Sequence, residues 1–306
     1  MRKILFTGLS SFTGFYFINQ LSNNKNNKIF CILSKNKKDY DFFKKKRISL
    51  ISKKKNVNLI FNVKFGDKKF INLLSKEKFN FLCFHHAYTK NYNNDKKFNF
   101  KKSLKENLNN VDELFKYINK KSKIIITNTI FQKIPKKNYK SINNYGVSKE
   151  LTYEKLKKLC NFHKIKYKSF FITNPWGIYE EKKLHYYLIE NWLKNKEVII
   201  KFPNYIRDNI HIEKLSKEYQ KVINSKSEKK EYFPSGYCSS NKVFIEALRK
   251  EFEKYFNVKT KVKYLKRIKG DQPIIRVNGN RIVKKVIFRE NLNKYFAYYS
   301  QLLRKN

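Results

Sequence analysis

The first 175 residues alternate between short apolar runs and longer mixed segments, which restricts the chain to few architectures. Strand-like runs fall at residues 3–7, 28–33, 57–63, 79–85, 123–127 and 168–172. The gaps are long enough for helices, and strands joined by helical crossovers form a parallel sheet covered on both faces. The clearest helical signal is 104–119, where Leu104, Leu108, Val111, Phe115 and Ile118 recur at helical spacing and demand one buried face. After Asn174-Pro175-Trp176-Gly177 the alternation weakens, although 197–200 reads as a strand and 261–267 as a basic stretch. The expected class is α/β, a Rossmann-type doubly wound parallel sheet with a smaller C-terminal substrate lobe. Residues 1–175 would form the sheet domain, with about 208–250 returning to it, and 176–306 would be mainly the lobe.

No apolar run approaches the ~20 residues that a bilayer crossing needs, and the N-terminus enters a strand pattern without a cleavable-signal pattern. A cytoplasmic enzyme without membrane insertion is expected. Cys31, Cys83, Cys160 and Cys238 are scattered and lack metal-ligand spacing, so neither a disulfide nor zinc is expected. The formal charge of +46 would attract polyanions if it were gathered on one face. The lysines are instead spread along the chain among Asn, Ile, Phe and Tyr, as a bias toward AT-rich codons would leave them. A polyanion-binding surface or attraction of an anionic substrate remain the alternatives; no specific nucleic-acid partner is expected.

The first strand runs into Thr7-Gly8-Leu9-Ser10-Ser11-Phe12-Thr13-Gly14 and then an apolar helix. Such a turn aims helix N-terminal N–H groups at a dinucleotide pyrophosphate, and small residues let the phosphate approach. Gly8, Ser11, Phe12, Thr13 and Gly14 are therefore cofactor candidates. Where NAD-binding chains carry an acid after the second strand, this one has Ser34 and Lys35. That pair suits the 2′-phosphate of NADP, so NADP is favoured slightly over NAD. Asp67 could accept from the adenine amino group or serve as an ordinary turn aspartate.

In Asn144-Tyr145-Gly146-Val147-Ser148-Lys149, a helix sets Tyr145 and Lys149 side by side at i and i+4. An adjacent ammonium would favour the phenolate and lower the tyrosine pKa, allowing acid–base work on a hydroxyl or carbonyl. The stretch follows a strand ending in Thr127-Asn128-Thr129, whose hydroxyls could complete the site.

With these residues in view, nearly the whole chain resembles the extended short-chain dehydrogenase/reductases, the NAD-dependent nucleotide-sugar epimerase/dehydratase type. Gly8 through Gly14 is similar to that family's glycine motif, with Ser11 as the departure. Phe84-His85-His86-Ala87 resembles its cofactor-lining segment, which implies roles for His86 and Ala87; His85 and His86 read as wall residues rather than acid–base groups. Asn107 matches its helical asparagine. Asn174 falls in a segment that touches nicotinamide and sugar, and Arg207 matches an arginine that grips the substrate diphosphate. The run 266–271 is similar to a C-terminal Arg-x-Gly-Asp with Arg267 displaced by one position.

The resemblance implies hydride transfer at a sugar carbon, with Tyr145 as acid–base, Lys149 on the nicotinamide ribose and Thr129 positioning the sugar oxygen; Thr127 is the alternative threonine. Ile130 and Phe131 stand where dehydratases carry an acidic pair, which argues against dehydration. Epimerisation leads, 4-keto sugar reduction with NADPH follows, and a non-catalytic dinucleotide-binding protein comes last. A nucleotide-sugar substrate is implied, and a homodimer is compatible with the pattern.

Overall fold

The computed structural model describes residues 1–181, 183–265 and 272–304. The chain divides into two compact units, Met1–Ile172 with Ser216–Phe233, and Thr173–Leu215 with Pro234–Asn306.

The first unit opens with β1 (Arg2–Thr7), α1 (Phe12–Ser22), β2 (Asn27–Leu33), α2 (Phe42–Ile51), β3 (Val57–Phe61) and α3 (Lys68–Lys76). It continues through β4 (Phe81–Phe84), α4 (Phe100–Asn107), α5 (Val111–Tyr117), β5 (Lys123–Thr129), α6 (Asn144–Phe162) and β6 (Lys166–Ile172). The chain then enters the second unit with β7 (Asn174–Trp176), α7 (Leu184–Leu193), β8 (Val198–Ile200) and β9 (Ile206–His211). Helix α8 (Ile212–Asn224) leads back to the first unit, where β10 (Glu231–Tyr232) joins the sheet. The remainder is β11 (Tyr237–Ser240), α9 (Asn241–Phe256), β12 (Val262–Tyr264), β13 (Ile275–Arg276) and α10 (Leu292–Arg304).

All six expected strands form. With β10 as a seventh, they lie in the order β10-β6-β5-β4-β1-β2-β3 with every pair parallel. Period-two alternation sends Leu5, Ile32, Leu82, Phe84, Ile124, Ile126 and Phe171 to one face, against Phe70 and Leu74 of α3, Leu114 and Phe115 of α5, and Leu156 of α6. On the other face Phe17 of α1 stacks on Tyr219 of α8 at 4.0 Å, and Phe170 of β6 closes on both rings. Helices on two faces make the sheet doubly wound.

Two expectations need correction. The 104–119 helix is two helices, because Asn110 adopts a left-handed backbone (φ 44°) between α4 and α5. The break docks on the turn after β3: Asn109 donates to the Phe65 carbonyl at 3.0 Å and Asn110 to that of Gly66 at 2.9 Å. The periodic stripe nevertheless stays inward, with Val111, Leu114 and Phe115 buried. The return segment is also shorter than 208–250. Strand β9 pairs with β7, β11 and β13 in the second unit's own sheet, so only 216–233 rejoins the first.

In the second unit β12 pairs in parallel with β8. Trp176 is fully buried among the rings of His185, His211, Phe244, Phe288 and Tyr295. Trp192 packs on Phe252. Both tryptophans serve packing. Among the described residues no helix is long and apolar enough to cross a membrane.

Gly66 has φ +71°, and a Cβ there would overlap the Asn109 carbonyl. We expect Gly66→Ala to cost about 2 kcal/mol or more in denaturant unfolding. A loss below ~0.5 kcal/mol, the range of ordinary surface changes, would mean that this docking contributes little.

Candidate active site

The turn after β1 packs against the end of β4. Gly8 has φ +84°, and a Cβ there would lie 2.9 Å from the His85 carbonyl oxygen; one on Gly14 would overlap the Gly8 carbonyl. Ser11 caps α1, accepting from the Gly14 N–H at 3.0 Å and donating to the Gly8 carbonyl at 2.9 Å. Phe12 and Thr13 follow in the first helical turn, where N–H groups have no intrahelical acceptor and the helix dipole favours an anion. Beneath the loop Arg47 of α2, fully buried, donates its Nε to the Ser10 carbonyl at 3.0 Å. Sequence reading missed it; its only signal was an arginine in a lysine-rich helix.

Ser34 and Lys35 are exposed just beyond β2, where the Lys35 N–H donates to the Tyr40 hydroxyl at 3.3 Å. Asp67 Oδ1 caps α3 by accepting from Phe70 N–H, and its Oδ2 closes the preceding turn by accepting from Lys64 N–H, each at 2.8 Å.

Alternation at the end of β4 sends its two histidines apart. His86 stacks on Phe65 at 4.0 Å, with Nε2 3.1 Å from the Asn107 carbonyl and Nδ1 3.0 Å from Thr7 Oγ1. His85 turns toward α1 and lies 5.2 Å from the Phe17 ring. Burial first, then the nearby Lys149 charge, pushes His85 down to about 3; burial likewise brings His86 to about 4. Both imidazoles are neutral at physiological pH. Ala87 follows, half-buried. Asn107, at the end of α4, accepts from Tyr88 N–H at 2.8 Å, and its amide reaches the Ser103, Ser148 and Thr152 hydroxyls at 3.4–3.5 Å. That buried cluster ties α4 to α6.

Helix α6 begins with an Asn143 cap on Gly146 N–H at 2.9 Å. A Cβ on Gly146 would overlap the Phe131 carbonyl, so this glycine lets the helix start lie against the segment after β5. One turn on, Lys149 is buried and donates to the Thr127 carbonyl at 2.9 Å. An ammonium has three donors, and among the described residues only this one acceptor engages it. The Tyr145 ring sits edge-on to Tyr92 (5.5 Å), Phe98 (6.1 Å) and Phe131 (6.2 Å). Thr129 is half-buried and its hydroxyl accepts from Phe131 N–H at 3.3 Å, whereas the Thr127 hydroxyl faces His85.

The electrostatics reverse one expectation. Burial, then the neighbouring Tyr92, raises the Tyr145 pKa. Burial also brings Lys149 down to about 8. In this aromatic surround desolvation of the phenolate outweighs the ammonium one turn away.

Within the second unit, Asn174 is half-buried at the start of β7, in register with Asn209. Arg207 lies over the Tyr205 ring at 4.5 Å and donates to the carbonyls of Ile206, Pro273 and Ile274 and to Gln272 Oε1. Asp208 instead accepts from the N–H groups of Gly236, Asn278 and Gly279. The 266–271 resemblance lies outside the described residues.

The first unit's edge fits a dinucleotide: a turn that only glycine can form, open N–H groups at α1, and a buried ammonium with donors to spare. A lysine whose pKa is depressed on folding costs stability fully below about 8, and the cost fades as pH rises toward 10.5. Lys149→Met should therefore stabilise the fold near pH 7 by on the order of 1–3 kcal/mol, with the gain shrinking by pH 10. Equal or lower stability at pH 7 in urea melts would show that the ammonium is not held at a cost.

No family model and no curated protein matches this sequence. Solved structures do. A UDP-glucuronic acid 4-epimerase from Bacillus cereus, bound to UDP-glucuronic acid and NAD, superposes with TM-score 0.77 at 16% identity, covering 98% of this chain and 99% of that one. A UDP-glucose 4-epimerase from Thermotoga maritima with UDP-glucose gives 0.74 at 17% identity over 98% and 99%. A dTDP-glucose 4,6-dehydratase from Streptomyces venezuelae with NAD and TYD gives 0.74 at 12% identity over 98% and 97%. The chain thus has, over 98% of its length, the Rossmann-type fold of these epimerase and dehydratase structures, which is the fold implied by its resemblance to the extended short-chain dehydrogenase/reductase family.

Proposed function

We propose that this chain is a member of that family and an NAD(P)-dependent enzyme acting on a nucleotide sugar, most simply as a 4-epimerase. The observation that carries the reading is Lys149, a buried ammonium at the carboxyl edge of a 3-2-1-4-5-6 sheet, one turn beyond a half-buried tyrosine. The solved epimerases of like fold bind NAD and UDP-sugars, which supports the same ligand classes here.

In this reading Gly8, Ser11, Phe12, Thr13 and Gly14 form the pyrophosphate turn. A dinucleotide bound there supplies hydride exchange with a sugar carbon. Tyr145, kept as the phenol by burial, holds a proton at its Oη for the sugar oxygen. The free N–H groups of Lys149 bind ribose hydroxyls, and Thr129 orients the sugar oxygen. His86, Ala87 and Asn107 form the wall behind the nicotinamide half, and Asn174 is the candidate sugar contact. The surrounding rings of Tyr92, Phe98 and Phe131 exclude water, which strengthens each polar contact made inside.

A second reading, NADPH-dependent reduction of a 4-keto sugar, draws support from Ser34 and Lys35, both exposed after β2. Retained NAD with no net redox change on UDP-sugars is the expected result for an epimerase; freely exchanging NADPH would favour the reductase. Tyr145→Phe should lower kcat by about 100-fold, near 2.7 kcal/mol, with dinucleotide affinity unchanged. A loss below tenfold would remove Tyr145 as the acid–base group.

A further inference from the structure

The serine in the phosphate turn is tied to a histidine. Ser11 Oγ lies 3.1 Å and Thr13 Oγ1 2.9 Å from His85 Nε2, while His85 Nδ1 lies 3.0 Å from Thr127 Oγ1. One imidazole therefore spans the β1 turn, the first turn of α1 and the end of β5.

One assignment of the hydroxyl protons satisfies every contact. With the Ser11 proton on the Gly8 carbonyl at 2.9 Å, this oxygen accepts from His85. Nε2 must then carry the hydrogen, shared between Ser11 and Thr13, since a bare Nε2 would set two lone pairs against each other at 3.1 Å. Nδ1 is left to accept from the Thr127 hydroxyl. Thr13 Oγ1 becomes an acceptor toward His85, and its own proton is not used within the network.

We propose that His85, as the Nε2–H tautomer, is a positioning residue of the dinucleotide site. It holds Ser11 Oγ turned into the loop, so a serine does the work of a glycine, and leaves the Thr13 hydroxyl proton to donate to a pyrophosphate oxygen. The inference rests on the dinucleotide reading above. The imidazole stays neutral through burial and the adjoining Lys149 and His86. A protonated ring would require Thr127 to accept rather than donate, and would break the chain of donors.

Asparagine and glutamine separate the two ring nitrogens, because an asparagine amide mimics Nδ1 and a glutamine amide reaches the place of Nε2. Titrating NAD and NADP into the whole protein, we expect His85→Asn to weaken binding tenfold or more and His85→Gln to stay within threefold of wild type. In a Ser11→Gly background the loss caused by His85→Asn should shrink at least threefold. Equal affinities for wild type and His85→Asn, or equal losses in both backgrounds, would overturn the proposal while leaving dinucleotide binding intact. A wild type that binds neither dinucleotide would sink both readings. Should His85→Asn fail to fold, Thr13→Val tests the same donor: binding weakened threefold or more supports it, and unchanged binding overturns it.

Discussion

A parallel sheet has one edge at which every strand ends and every crossover begins to turn back. In this chain that edge gathers the polar chemistry. The Gly8 turn lies on the His85 carbonyl, His85 reaches Thr127, and the Thr127 carbonyl holds the Lys149 ammonium. Each contact joins residues far apart in sequence, and each depends on the right-handed crossovers that bring β1, β4 and β5 side by side.

The lysine content can be sorted on the same physical basis. Most ion pairs are half-exposed partners three or four residues apart, such as Lys116 with Glu113 and Lys194 with Glu190, and pairs of that kind contribute little. Two lysines are buried among the described residues, Lys149 and Lys168. Lys168 donates to the Val222 and Ser225 carbonyls at the end of α8, where a helix terminus favours a cation. Its ammonium is a structural clamp. Lys149 lacks such a nest and, among the described residues, meets one carbonyl.

Much of this was legible in the sequence because burial has a period. The six strands and the inward stripe of α5 follow from apolar spacing, and Tyr145 with Lys149 from helical geometry. What escaped was set by hydrogen bonds without a period. Nothing in Leu108-Asn109-Asn110 announces that two amides will break a helix to dock on Phe65 and Gly66, or that Asp67 will spend one oxygen on a helix cap and the other on the turn before it. The Tyr145 shift also depended on the rings of Tyr92 and Phe98, contributed by a loop that no spacing rule connects to α6. Arg207 was read from its neighbours in sequence, while its partners are carbonyls about 66 residues onward.

The chain has eight glycines, and at each of the seven described a Cβ would collide with neighbouring atoms. Glycine codons begin with two guanines, so a drift toward AT-rich codons erodes glycine wherever a side chain can be tolerated. A genome under that pressure performs its own substitution scan over many generations. The glycines that remain mark backbone positions where erosion was stopped by sterics. Gly8, Gly14, Gly66 and Gly146 all lie in the first unit, at turns and helix starts where a side chain has no room.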